Sequence, residues 1–316
     1  MRGAQRQQGV ALITVLLVIA LATVAAVQMT RDGVYDRRRS GNLLALEQAH
    51  QVALGGERWA VAMLADQAER ERDRQGADDA GRGLEEKRIE WPQAMPPIPI
   101  EGGQVGGEIA DAQARFNLNS LVGPGGVDAL AVSRFQRLLS ALGLERTIAM
   151  ATVDWIDRDS QVTHPGGGEA NFYLSLAEPY RIANRPMATA SELRRVRGVD
   201  AATWRALAPH VTALPRATPV NVNTAGPQVI RALVPTADTD AAETLAETSF
   251  DELGDFLRHP LVENGGVSVS GLAVRSEYYR SRVDVEFGPM SYTLYSWLQQ
   301  ENDGRLRVLR RARTPD

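Results

Sequence analysis

The sequence predicts an α+β protein: a long N-terminal hydrophobic helix, an antiparallel sheet, and a large all-α insertion of helix-hairpin-helix (SAM-like) type. Three observations predict it. Val10–Val27, VALITVLLVIALATVAAV, carries no charge and only two threonines. From Tyr279 to Leu298 apolar residues recur with the period of two that a half-buried strand requires. Between them, residues 115–215 read as a series of helices.

An apolar run of about 18 residues is long enough to cross most of a ~30 Å hydrocarbon layer as a helix, since each residue rises ~1.5 Å and every backbone group is satisfied locally. The competing reading is a secretory signal peptide. Its apolar region is usually ~7–15 residues and ends at a small-residue cleavage site, whereas this run continues into Gln28 and Met29. Arg2 and Arg6 precede the span with no acid to offset them, which keeps the N-terminus cytoplasmic and sends the rest outward. Arg37-Arg38-Arg39 is the counterweight, diluted by Asp32 and Asp36. Leu43, Leu46, Val52, Trp59 and Met63 extend the helix into the mid-60s, with Gly33, Gly41 and Gly55-Gly56 as expected weak points or bends. Asp66–Glu90 turns to charge and glycine and reads as a solvated helix end followed by a loop.

With 316 residues the chain has room for two or three domains. A net charge of -4 argues against broad binding to a phosphate backbone, which needs a basic face. The absence of cysteine excludes disulfides, thiolate metal sites and a cysteine nucleophile.

Short strands are expected at Ile89–Trp91, Ile98–Ile100 and Gly106–Asp111 around a proline-rich turn. Then RFNLNSLVGPGG, from Arg115, precedes a helical pattern at Val127–Leu142, and PVNVNTAGPQ at 219–228 precedes another at Val229–Val234. The two Asn-x-Asn stretches resemble an internal duplication in which Asn119 and Asn223 cap the helices that follow. Thr147–Asp157 reads as a helix. Residues 187–211 read as helix, turn at Gly198, helix, begun by Thr189 or by Ser191 with Glu192. Ser249–Arg258 is a further capped helix. At the C-terminus Tyr279, Ser281, Val283, Val285 and Phe287 run against Tyr292, Leu294, Ser296 and Leu298 through a turn at Gly288-Pro289, and Leu306–Leu309 follows Asp303-Gly304. Packed on the long helix, these strands complete the body.

The densest cluster of chemistry is DWIDRDSQVTHPGGGEANFY, residues 154–173. Asp154 and Asp157 lie one helical turn apart and share a face, Asp159 follows, and a glycine-rich loop returns Glu169 and Asn171. Clustered carboxylates without sulfur suit calcium, which takes 6–8 oxygen ligands, but the spacing is not an EF-hand and a solvated acidic turn is the other reading. A catalytic acid needs apolar surroundings that this polar loop does not supply. His164, before Pro165, reads as an exposed loop residue. With no nucleophile elbow, phosphate loop or dinucleotide fingerprint, the chain is expected not to be an enzyme. A membrane-anchored, DNA-binding helix-hairpin-helix component of an uptake system is the alternative function. Against it, the hairpin Gly198-Val199-Asp200 puts an aspartate where a second glycine would face phosphate, although Arg194, Arg195 and Arg197 remain nearby.

A short basic leader ending in Gly9, an immediate apolar helix and an α+β body resemble the type IV prepilin-like proteins, in which a prepilin peptidase cuts between Gly9 and Val10. Most members have glutamate at the fifth residue after the cut, and here that residue is Thr14. This, the chain length and the motifs DWID-R-D, PGGGEANFY, PYRIANRPM, SELRRVRGV, VTALP and PVNVNTA resemble the protein K family of the type II secretion system, the large minor pseudopilins. The resemblance implies a pseudopilin-like body with a helical insertion and calcium at the acidic loop, making Asp154, Asp157, Asp159, Glu169 and Asn171 candidate ligands. It also implies a place at the pseudopilus tip with minor pseudopilins I and J, and anchorage in the bacterial inner membrane with a periplasmic C-terminal domain. Contact with secreted proteins and N-methylation of Val10 are left open, and no nucleic-acid partner is expected. The chain then divides into a leader (1–9), the span or filament-core helix (10–27), and the rest of the stem with the first part of the body (28–114). The helical insertion (115–215), its second element and return (216–270), and the C-terminal strands (271–316) follow.

Overall fold

The computed structural model describes residues 7–79, 91–288, 290–301 and 303–315. Arg2, Arg6, Ile89, Glu90, Pro289 and most of the expected charged loop lie outside them. A single helix, α1 (Gln7–Asp79), runs unbroken through every glycine at which a bend was expected and continues past residue 66. Its N-terminal part stands clear of the body: residues 11–31 are exposed throughout, although their best window has a mean hydropathy of 2.5. Threonine hydroxyls in and just beyond the span donate back to the helix, Thr14 to the Ala11 carbonyl, Thr23 to Ile19 and Thr30 to Ala26. Such internal bonding is what an apolar medium requires.

The later part of α1 buries Ala49, Ala53, Ala60 and Leu64, spaced for one helical face. Gly56 belongs to this stripe, and it is a contact point rather than a bend. A Cβ there would lie 2.5 Å from Val283 Cγ1 and 3.3 Å from Val105 Cγ2, so its absence lets the helix lie close on the sheet. One turn of small residues thus fixes where α1 crosses the strands.

The sheet has five antiparallel strands in chain order: β1 (Gln93–Ile100), β2 (Gly103–Asp111), β3 (Tyr278–Phe287), β4 (Met290–Gln300) and β5 (Leu306–Ala312). The expected register holds, with Val285 opposite Tyr292, Val283 opposite Leu294, Ser281 opposite Ser296 and Tyr279 opposite Leu298. These residues form the face on which α1 packs. At its centre the buried Glu57 carboxylate receives a two-pronged bond from Arg311 (Nε 2.7 Å, Nη2 2.8 Å) and one from the Ser296 hydroxyl (2.5 Å). Burial opposes the charge of Glu57, but the bonds from Arg311 and Ser296 outweigh it and hold the carboxyl below the ordinary glutamate range.

Between β2 and β3 the chain leaves the sheet and makes the insertion, with α2 (Ala129–Ala141), α3 (Ile148–Ile156), α4 (Ala170–Leu174), α5 (Ala201–Leu207), α6 (Pro227–Leu233), α7 (Thr239–Glu247) and α8 (Leu253–Arg258). One hydrophobic cluster reaches from Phe116 to Leu272 and crosses residue 215 without a break. The duplication is visible in it. Phe116-Asn117 pairs in parallel with Val211-Thr212, and Val220-Asn221 pairs in parallel with Leu272-Ala273. Asn117 caps the 3-10 turn Leu118–Leu121, but Asn119 and Asn223, where the caps were expected, do not cap the helices that follow. Asn117 and Asn221 accept from the amides of Asn119 and Asn223, while those two reach across the chain, Asn119 to Met187 and Leu214, Asn223 to Phe250 and Val274. They pin distant segments. The first arm of the 187–211 hairpin is also a 3-10 turn, Ala190–Arg195, with no side-chain cap from Thr189.

Entry to and exit from the insertion are joined at Asp111. Its Oδ1 accepts from the Gln113 amide (2.7 Å), and its Oδ2 from Asn221 Nδ2 (2.9 Å), Thr224 Oγ1 (2.6 Å) and Ser276 Oγ (2.7 Å). Gln113 Oε1 then accepts from the Glu277 and Tyr278 amides. This buried knot seats the insertion on the end of the sheet.

Candidate functional site: an acidic loop on the insertion

Helix α3 is buried nearly all round, so the carboxylate of Asp154 lies inside the fold rather than on its surface. It is spent on the loop that follows: the Thr163 amide donates to Asp154 Oδ1 (3.1 Å) and Oδ2 (3.2 Å), and the Gly167 amide donates to the Thr163 carbonyl (2.9 Å). A Cβ on Gly167 would collide with Asp154 Oδ2 and the Thr163 carbonyl, and one on Gly166, at φ +90°, would collide with Thr147, so both of these glycines let the loop close. Arg197, from the neighbouring hairpin, donates to the Gly167 carbonyl (2.8 Å) and stacks 4.4 Å from the Phe172 ring centroid. Underneath, Tyr173 packs edge-on against Trp155 at 5.3 Å.

This frame brings together Asp157, at the end of α3, Asp159, and Glu169, just before α4. One carboxylate oxygen from each lies within 4.8 Å of the others. Asp157 and Glu169 are buried, whereas Asp159 is exposed. Asp157 Oδ1 and both Glu169 oxygens are buried with no hydrogen-bond partner. Burial first, then repulsion from Asp159, Asp154 and Glu169, raises the Asp157 carboxyl from 3.8 to about 7. Burial and the charge of Asp154 likewise raise Glu169.

Three mutually repelling carboxylates, two of them with orphaned buried oxygens, fit a divalent cation, and an all-oxygen donor set suits a hard ion such as calcium. Asp154 shapes the loop that carries them. Asn171 sits exposed on α4, and His164 is exposed in the loop and outside the carboxylate cluster. Sequence reasoning missed Asn184. Held at φ 43°, it donates from Nδ2 to the Asp159 carbonyl (3.1 Å) and leaves its Oδ1 buried and without a partner. Its left-handed backbone is typical of asparagine, but nothing local in the sequence ties it to a loop 25 residues earlier.

The hairpin at Gly198 (φ +85°) serves the same loop. Asp200 accepts from the Thr203 amide (2.7 Å) and caps α5, and Arg197 is engaged with Gly167 and Phe172. Arg194 and Arg195 remain exposed, Arg195 with its guanidinium 5.9 Å from the Tyr180 ring centroid.

Comparison with known proteins agrees with this architecture. A family model described as type II secretion system (T2SS), protein K, matches residues 114–216. Type II secretion system protein K of Pseudomonas aeruginosa is 36% identical over 96% of this chain and 92% of its own length. The Klebsiella pneumoniae protein of the same name is 33% identical over 94% and 93%. Among solved structures, a chain of the GspK-GspI-GspJ complex from the enterotoxigenic Escherichia coli type 2 secretion system matches with a TM-score of 0.68 and 27% identity. That match covers 85% of this chain and 98% of the other. The chain belongs to the protein K family of the type II secretion system, whose members are minor pseudopilins, structural subunits of the secretion machinery.

Proposed function

We propose that the chain is the tip subunit of the pseudopilus, capping it with minor pseudopilins I and J and initiating its assembly for export of folded proteins. The observation that carries this reading is the N-terminal part of α1, apolar yet exposed on every side. Such a helix is built to be enclosed, by the inner membrane first and by neighbouring filament helices later. In a growing filament a glutamate five residues after the leader cut can neutralise the N-terminal amine of the subunit above, because unpaired charge in an apolar medium is costly. A first subunit has none above it. Thr14, uncharged and bonded to its own helix, suits that position. The insertion supports the same place, since residues 112–277 form a bulky domain at one end of the sheet that would obstruct a subunit stacked over it.

In this reading a prepilin peptidase removes residues 1–9, leaving Val10 as the first residue and open to N-methylation, and the globular part lies in the periplasm. Calcium is held by Asp157, Asp159 and Glu169, on a loop positioned by Asp154 and tied at the Asp159 carbonyl by the Asn184 side chain. The partners follow from the likeness to the GspK-GspI-GspJ complex. The test is co-expression of the full chain with pseudopilins I and J of the same system. Co-purification as a complex is expected. Elution of the chain alone, with and without calcium, contradicts the proposal, as does full secretion by a strain in which a short turn joining Asp111 to Tyr278 replaces residues 112–277.

A further inference from the structure

Arg134, on α2, is only 4% exposed. Its terminal nitrogens donate to the carbonyls of Ser270 (2.5 Å) and Ser268 (2.8 Å), while its Nε is buried without a partner. Among the described residues no carboxylate lies within ion-pair distance. Burial first, then repulsion from Arg137, lowers its pKa from 12.5 to about 10, and Asp128 offsets this only in part. The Asp128 carboxylate is itself occupied, accepting from the Ala131 amide at 2.9 Å to cap α2. A guanidinium withdrawn from water without a counter-ion is costly, and an anion arriving from outside would relieve that cost.

Beside Arg134 is a cavity of about 450 Å³ with mixed walls, Phe116, Leu130 and Leu272 on the apolar side and Asp128, Ser120 and Thr218 on the polar side. It lies at the seam of the duplication, where the first Asn-x-Asn segment meets the second and the 270–272 return. Its size exceeds what a bare inorganic anion fills, the apolar part of its wall offers such an anion nothing, and Asp128 disfavours a doubly charged one. A singly charged carboxylate on an apolar body satisfies both. Val127 and Val269, chain neighbours of the lining residues Asp128 and Ser270, are 51% and 56% exposed. A desolvated arginine beside apolar wall residues is the kind of place where protein-binding hot spots concentrate.

We propose that this cavity receives an acidic side chain, flanked by apolar residues, from an extended segment of a partner protein. A charge-assisted bond to a desolvated guanidinium is stronger than its neutral counterpart, so the carboxylate should dominate affinity. The test uses the full chain in detergent at low salt, titrated with fluorescein-labelled Val-Glu-Val and Val-Gln-Val peptides blocked at both ends. The glutamate peptide should bind about tenfold or more tightly than the glutamine peptide. Arg134→Gln should abolish that preference. Ala217→Phe, at an exposed wall position clear of the core, should weaken both peptides by blocking the cavity without disturbing the fold. Equal binding of the two peptides overturns the proposal, as does binding unchanged by Ala217→Phe. Isobutyrate binding as tightly as the glutamate peptide overturns the assignment to a protein segment.

Discussion

Without a bound cation, raising the pH should cost the insertion stability, and Asp157 sets the size of the effect. Its carboxyl is raised from 3.8 to about 7, so the folded state holds that proton more tightly than the unfolded state does. The resulting stability is fully present below the unfolded value and is lost as pH rises through about 7. About 3 pH units at ~1.4 kcal/mol each gives an upper figure of ~4 kcal/mol, and Glu169, also raised, acts in the same direction. In EDTA, Asp157→Asn should therefore match the wild type near pH 4 and exceed it by ~1–4 kcal/mol near pH 8. Calcium should invert the order. At 100 times its dissociation constant it adds ~2.7 kcal/mol to a protein that binds it only when folded, and the variant should lose most of that gain. The assay is urea unfolding of the full chain in detergent, followed by tryptophan fluorescence across pH, in EDTA and in calcium. Parallel pH profiles for the wild type and Asp157→Asn in EDTA would refute the electrostatic reasoning, and equal stabilisation of both by calcium would refute the metal assignment.

Four further outcomes follow from the body. Glu57→Gln combined with Arg311→Met in a double-mutant cycle should give a coupling energy of ~1.5–3 kcal/mol by denaturation, and below ~0.5 kcal/mol the clamp contributes nothing. Because Glu57 is held below its ordinary value, its contribution is present above about pH 4.5 and should fade as pH falls further, a loss that Glu57→Gln removes. Gly55→Ala, with open space around the new methyl, should stabilise by up to ~1 kcal/mol through helix propensity, whereas Gly56→Ala should destabilise by ~1–2 kcal/mol because Val283 blocks the methyl; thermal unfolding of the pair distinguishes the signs. Asp111→Asn would turn an oxygen that accepts three bonds into a donor, costing ~2–4 kcal/mol and loosening the seat of the insertion, readable as faster amide exchange at Glu277 and Tyr278.

What the sequence revealed divides along physical lines. The C-terminal strands and their register were legible because a sheet buried on one face writes its pairing into a period of two. The span was legible because length and apolarity are the whole requirement. Asp157, Asp159 and Glu169 were legible because they stand close in sequence, but the adjacent Asp154, of the same residue type, differs in role for a reason of depth: it faces inward and closes the loop. Asn184 and the Glu57–Arg311 pair were not legible, because their partners lie 25 and 254 positions away. The Asn-x-Asn repeat was found, but the expected cap on Asn119 and Asn223 is misplaced, since Asn117 is the residue that caps. An asparagine amide can cap a helix or bridge two distant backbones, and only the fold decides which carbonyls come within reach. The glycines were misread for a similar reason, since Gly56 answers to a strand that arrives more than 200 residues later.

The most direct test of the central claim is the position of this subunit in an assembled pseudopilus. An epitope placed after Gly125, in an exposed turn with open space around it, can be labelled with gold on filaments built by the complete system. The account predicts a single label at one end of each filament and none along its length. Labels repeating along the shaft would show that the insertion does not obstruct stacking, and would contradict it.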